Sequence, residues 1–148
     1  MVQAHEYGHT LASDRWTYPT TGFRISTWFG EAGSVWSSGY HTGIDMSAGL
    51  GTPVVAVTRA IVVAAGWDGP YGNQVRIQLS KRDQAWYNHL SRFDVGVGQV
   101  VTEGETLGAV GDTGNSFGSH LHFEYRLAAD TDTAIDPAPV LAAHGLGL

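Results

Sequence analysis

Seven histidines occur in a 148-residue chain without cysteine, so a protein-borne metal site here must be built from imidazoles and carboxylates. Two of them stand in His120-Leu121-His122, inside a run whose alternate positions Leu121, Phe123, Tyr125 and Leu127 are apolar. On a strand, successive side chains point to opposite faces. The apolar set therefore faces a core, and His120, His122, Glu124 and Arg126 share the other side. Two histidines held side by side on a strand suit one metal ligand beside one proton-handling group. His41 and Asp45 are four apart, which puts them on one face of either a strand or a helix. A neutral imidazole and a carboxylate are both ordinary zinc ligands. With His122 they make three protein ligands and leave the fourth tetrahedral position for water, as a hydrolytic site requires. His89, in the strand-like Trp86-Tyr-Asn-His-Leu90, is a further candidate.

Taken singly these signals are weak. A lone histidine is more often a satisfied surface or core residue than a ligand, and His-x-x-x-Asp recurs by chance. All of them in this order within one short chain fit chance poorly. The rival is His5-Glu6-Tyr7-Gly8-His9, which matches the His-Glu-x-x-His motif of helical zinc proteases with Glu6 as base. That motif needs a long helix, an upstream sheet and a later ligand-bearing helix, and five residues before Glu6 supply no sheet. A polar terminal segment is the better reading of it. At the main constellation, zinc would lower the pKa of a water toward about 7. No glutamate sits beside a ligand in the manner of the helical proteases, so His89 or His120 must take the proton. The residue types leave open which does so.

The elements that must position these residues are short strands. Pro53 to Val57 and Ala60 to Ala65 are β-branched runs, and Val75, Ile77 and Leu79 alternate with Arg76 and Gln78 at the period of two. Trp67-Asp-Gly-Pro-Tyr-Gly-Asn73 is a dense turn signal between them. Trp86 to Leu90, Gly104 to Val110 and His120 to Leu127 complete the set. Residues up to about Gly39 read mainly as loops leading to a first strand, and Pro139 to His144 as a weak closing helix. The expectation is an all-β domain, an antiparallel β-sandwich or partly open barrel, occupying residues 1–148 as one unit with its core over about 22–137.

Composition narrows the partners. Hydrophobic residues make up 43% and charged residues 15%, which suits a folded domain, and the formal net charge is −6. Such a balance gives no electrostatic footprint for nucleic acid or anionic membrane. No apolar run approaches the roughly 20 residues of a membrane helix. The N-terminal Met-Val-Gln-Ala-His-Glu lacks the basic and apolar regions of a signal peptide. The expectation is a protein exported by another route, or a domain cut from a longer precursor.

Gly39-Tyr-His-Thr-Gly-Ile-Asp-Met46 followed by Gly51-Thr-Pro-Val54 resembles the first metal motif of the lysostaphin-like zinc endopeptidases. Tyr87-Asn-His-Leu-Ser91 resembles their middle histidine motif, and Gly111-Asp-Thr-Gly-Asn-Ser-Phe-Gly-Ser-His-Leu-His-Phe-Glu124 their closing one. The resemblance runs from roughly Gly22 to Pro137. It implies an antiparallel β fold with a substrate groove, one zinc ion per chain, and cleavage of peptide bonds in the cross-links or stem peptides of bacterial peptidoglycan. Carried over by position, His41, Asp45 and His122 are the ligands, and His89 and His120 the catalytic pair; substrate-binding residues are not assigned. A monomer acting outside the cytoplasm, or secreted, is the corresponding expectation. Gln78-Leu79-Ser80 stands where family members often carry a histidine, at a position outside the ligand set. Two other readings compete. A non-catalytic wall-binding or regulatory module of the same fold fits poorly with a full set of histidines and aspartate. A biotinyl- or lipoyl-type carrier is suggested by Val97 to Gly108, but the only lysine, Lys81, lacks the flanking methionine such carriers use.

Overall fold

The structure, a computed structural model, describes residues 15–33 and 39–148. The His5–His9 motif lies outside the described residues. Ten strands form one antiparallel sheet that is not closed: β1 (Arg24–Thr27), β2 (Ile44–Ser47), β3 (Pro53–Val55), β4 (Ala60–Trp67), β5 (Asn73–Leu79), β6 (Gln84–Phe93), β7 (Val100–Val101), β8 (Thr106–Val110), β9 (His120–Leu127) and β10 (Asp130–Ile135). The main path runs β1-β2-β9-β6-β5-β4-β7. β10 adds to β9, β8 adds to β6, and β3 adds to β8. One helix, α1 (Pro137–Ala143), follows; its N-cap is Asp136, whose Oδ1 accepts the Ala138 N–H at 3.0 Å. No helix among the described residues is long and apolar enough to cross a membrane.

The central strand is β9. It pairs with β2 over His120–Phe123 and with β6 over His122–Arg126. Its alternation behaves as the sequence predicts as far as Arg126; Leu127, expected in the core with the other apolar residues, is exposed at the end of the strand. Leu121, Phe123 and Tyr125 are buried against Ile44 and Met46 of β2, Ala85 and Tyr87 of β6, and Val75 and Ile77 of β5. Tyr87 is wholly buried; its hydroxyl accepts the Val57 N–H at 3.0 Å and its ring meets Phe123 edge-on, with centroids 5.3 Å apart. The opposite face of the same strand carries His122, Glu124 and Arg126. These polar groups are buried too, because loop residues 39–43 and a 3-10 turn at Gly69–Tyr71 pack over them.

Two strands depart from the sequence expectation. β1 falls inside the stretch read mainly as loops, because Arg24-Ile-Ser-Thr27 is short and gains its pairing from β2. β10 was not anticipated: Asp130-Thr-Asp-Thr133 is polar, and it becomes a strand through its pairing with β9. The closing helix begins two residues earlier than its hydrophobic pattern suggests, since Asp136 caps it.

The close approach of β2 to β9 depends on Gly43. A Cβ there would collide with Phe123 O and lie 2.9 Å from Glu124 Cγ. Gly43→Ala is therefore expected to destabilise the protein by about 1–3 kcal/mol or more. Gly49→Ala, where the nearest atom is 3.6 Å away, should stay within about 0.5 kcal/mol of the parent. Denaturant unfolding of the two variants checks this.

Candidate metal centre and its groove

The β2–β9 ladder sets Asp45 directly opposite His122 and Ser47 opposite His120. His41 precedes β2 in a loop tied down by two backbone bonds, His41 N–H to Glu31 O and Gly30 N–H to His41 O, both 2.8 Å. The result is a triangle of donor atoms. His41 Nε2 lies 3.0 Å from Asp45 Oδ1, His122 Nδ1 lies 2.8 Å from the same oxygen, and the two nitrogens are 3.1 Å apart. These edges approach the roughly 3.3 Å expected between tetrahedral ligands with bonds of about 2.0–2.1 Å. Among the described residues, His41, Asp45 and His122 form the group able to hold a metal ion.

The far side of each imidazole fixes its tautomer. His41 Nδ1 lies 3.1 Å from Trp28 O, so it donates there and leaves Nε2 with its lone pair facing the triangle. His122 Nε2 lies 2.7 Å from Glu124 Oε2 and donates to it. In the metal-free protein His122 Nδ1 donates as well, to Asp45. Burial alone would push the His122 pKa down, but the bonds to Asp45 and Glu124 reverse this and raise it to about 9. Asp45 is held well below the usual carboxylate range: burial raises it, and the hydrogen bond and charge of His122 lead the contributions that outweigh burial. Two imidazoles converging on one carboxylate, with a proton standing where a divalent cation would sit, fit a zinc ion well.

His89 is reached through a break in β6. That strand pairs with β9 as far as Asn88, opposite His122, and with β8 from Leu90, opposite Val110. His89 lies between, with φ of 65°, a left-handed conformation costing about 1–2 kcal/mol for a residue with a Cβ. The kink turns the ring toward His120, with centroids 4.8 Å apart. Its Nδ1 donates to Thr113 O at 2.6 Å, and Thr113 is itself fixed through its hydroxyl to Leu90 O and Asn73 N. Burial, and then the neighbouring His122, pull the His89 pKa down to about 4, so the ring is neutral at physiological pH. His120 stands at the start of β9. Its Nδ1 lies 2.8 Å from Gly118 O, and its Nε2 lies 3.5 Å from Asp45 Oδ1.

All five residues singled out from the sequence thus converge. They line a groove of about 660 Å³ whose walls come from β1, from the turn bearing Pro70 and Tyr71, and from the loop Asn115–Ser119. His144 stands elsewhere, stacked on Trp16 at 3.9 Å. What sequence reasoning missed is the support behind His122. Glu124 does contact His122, but from the buried side of its ring, where Thr42 and Arg126 also bind it. Its place on the strand face was readable from the period of two; its contact was not, because Thr42 and Tyr71 come from remote segments.

Residues 39–137 match Peptidase family M23, and the chain belongs to that family. Lysostaphin of Staphylococcus simulans is 39% identical over 115 residues, covering 75% of this chain and 23% of that protein. The peptidoglycan DD-endopeptidase ShyC of Vibrio cholerae is 38% identical over 85 residues, 57% of this chain and 20% of that protein. The chain thus spans about a quarter or less of the length of these curated relatives. The catalytic domain of S. simulans lysostaphin superposes with a TM-score of 0.77 at 34% identity, over 81% of this chain and 92% of that one. A zinc-containing peptidase from Vibrio cholerae superposes at 0.72 with 26% identity, over 83% of this chain and 39% of that one. Zinc is the metal of this metallopeptidase family, consistent with the His-Asp-His triangle.

The two shifted histidines fix the pH response of the zinc-free fold. His89 drops from 6.5 to about 4, so its contribution is present above 6.5 and is lost as pH falls through 4. His122 rises from 6.5 to about 9, so its contribution is present below 6.5 and is lost as pH climbs through 9. The melting temperature of chelator-treated protein should therefore peak near pH 6.5 and fall on both sides. Saturating zinc should remove the alkaline decline, because the metal replaces the His122 proton. Calorimetric scans from pH 4 to 9, with and without zinc, measure both limbs.

Proposed function

We propose that this chain is the single catalytic domain of a zinc metalloendopeptidase that hydrolyses peptide bonds in the cross-links or stem peptides of bacterial peptidoglycan. In this reading His41 Nε2, Asp45 Oδ1 and His122 Nδ1 hold one zinc ion, and His89 and His120 handle protons. The observation that carries it is the donor triangle placed beside two further histidines at the floor of an open groove. The peptidoglycan substrate rests on the relatives and on the three sequence motifs. The protein would act as a monomer outside the cytoplasm, where that substrate lies.

Zinc bound at the triangle supplies a positive charge that polarises the scissile carbonyl and acidifies water toward a pKa of about 7. The chain's own groups supply the rest. His89 commits Nδ1–H to Thr113 O, which leaves Nε2 as an acceptor, and its low pKa keeps that acceptor open at neutral pH. There it can take the proton that the attacking water gives up and pass it to the leaving amine. His120 likewise commits Nδ1–H to Gly118 O and turns Nε2 toward Asp45. Glu124 takes no part in the proton transfer, because it is wholly buried and its oxygens are engaged by His122, Thr42 and Arg126.

Digestion of muropeptides from several wall types, followed by mass spectrometry of the new termini, tests the activity and identifies the bond. His89→Ala and His120→Ala should keep near-stoichiometric zinc while turnover drops by roughly 10² or more, the usual contribution of a positioned acid or base. Asp45→Ala and His122→Ala should lose most of the metal. Zinc retained in both ligand variants, or lost in His120→Ala, would show the roles to be misassigned.

The pH–rate profile follows from the same assignment. Because burial holds the His89 pKa well below its ordinary value, the rise of kcat/KM between pH 5 and 7 should come from ionisation of water in the zinc-loaded site and from metal retention. Micromolar zinc should restore part of the acid-side loss. A profile flat from pH 5 to 9 on a soluble peptide would rule out this mechanism.

A further inference from the structure

The side of His122 away from the groove carries a closed polar network. Glu124 has no exposed surface. Its Oε2 accepts the His122 Nε2–H at 2.7 Å and the Thr42 hydroxyl at 2.6 Å. Its Oε1 accepts Arg126 Nε–H at 2.9 Å and the adjacent Nη2–H. Four donors thus occupy the four lone-pair positions of one carboxylate. Arg126 is fixed in turn: its guanidinium lies 3.9 Å from the Trp86 ring, and Arg76 lies against the same ring at 3.6 Å. Arg76 binds Asp68 and Gln74; Gln74 binds Asn88 at 2.7 Å, and Asn88 donates to His122 O at 2.9 Å. Tyr71 stacks over the His122 ring, and its hydroxyl accepts from Arg126. Both the ring and the backbone of His122 are therefore tied to the same cationic pair around Trp86.

Burying a carboxylate costs several kcal/mol unless every lone pair is met, and apolar side chains of similar volume usually serve a core as well or better. A carboxylate at this position therefore calls for a role beyond packing. A histidine can offer either nitrogen to a metal, and the group bound to the other nitrogen decides which.

We propose that Glu124 is a positioning residue: backed by Arg126 and Thr42, it holds His122 in the tautomer and orientation that present Nδ1 to the metal beside Asp45 and His41. The inference rests on the ligand set proposed above. Glu124 acts through His122 and touches no reacting atom.

The test is zinc affinity measured by competition with a chromophoric chelator, together with the visible absorption of the cobalt(II) protein. Glu124→Gln keeps the shape but loses the charge, and should weaken zinc binding about 10- to 100-fold and alter the cobalt bands. Thr42→Val removes one donor to Oε2 and should weaken binding about two- to tenfold. A merely structural role would lower the melting temperature of the zinc-free protein and leave both metal readouts unchanged. If Glu124→Gln does not fold, Thr42→Val decides. Zinc affinity within twofold of the parent in every folded variant overturns the proposal. Asp45→Ala separates the two readings: loss of zinc there, with affinity kept in Glu124→Gln, sinks this inference alone. Zinc retained in Asp45→Ala sinks the ligand set beneath it.

Discussion

The site depends on one cross-strand pair. Asp45 on β2 stands opposite His122 on β9, and the antiparallel register brings Oδ1 and Nδ1 to 2.8 Å. Side chains alternate with period two, so a slip of one residue would carry His122 into the core and bring Leu121 or Phe123 out to the groove. What prevents the slip is the other face of the same two strands. Leu121 and Phe123 pack with Ile44 and Met46, and all four are wholly buried. The hydrophobic pattern that folds the sheet thus also sets the geometry of the donor triangle. The absence of a side chain at Gly43 lets the strand enter this pairing without striking Phe123 O.

A stable ladder can hold ligands but is poor at aiming reactive groups off its axis, and the structure divides the two tasks. Asp45 and His122 project from regular paired positions, where neighbouring strands fix the backbone on either side. His89 and His120 sit where regularity fails: one at a left-handed kink as β6 changes partners, the other at the first residue of β9. At His89 the local strain is held in place by bonds from Thr113, Leu90 and Asn73, all of which close around the kink. Gly111 belongs to the same arrangement, since a Cβ there would press on His89 O and Ser91 N. Backbone strain concentrated at one polar residue beside a donor triangle is the pattern expected where positioning outweighs local stability.

How far the chain was legible follows from this division. Everything governed by period two could be read. The alternation from His120 to Arg126 predicted both the buried face and the polar one, and the four-residue spacing of His41 and Asp45 placed them together before any strand was known. Three motifs of mixed glycine, histidine and acid identified the family. Features created by tertiary contact were not legible. Asp130-Thr-Asp-Thr133 has no hydrophobic signal and becomes β10 only beside β9. The backbone of His89 could not be foreseen, since histidine seldom adopts positive φ and Trp86-Tyr-Asn-His-Leu90 reads as a continuous strand. Glu124 was placed on the correct face without a role, because its partners come from residues 42 and 126 and its cover from residue 71.

The same contrast explains why two acidic residues so near one histidine differ in what they can do. Asp45 and Glu124 both bind the His122 ring, one at each nitrogen, at 2.8 and 2.7 Å. Asp45 remains partly exposed to the groove and keeps coordination capacity, as the ligand role proposed for it requires. Glu124 is sealed beneath Thr42 and Tyr71, with every lone pair met by a donor, so it can orient but cannot accept a proton from the groove. A glutamate two residues from a ligand would be the natural candidate for a general base on sequence proximity alone. Its burial and saturation remove it, in keeping with the proton-handling role proposed for the two histidines whose Nδ1 atoms are already committed to backbone carbonyls.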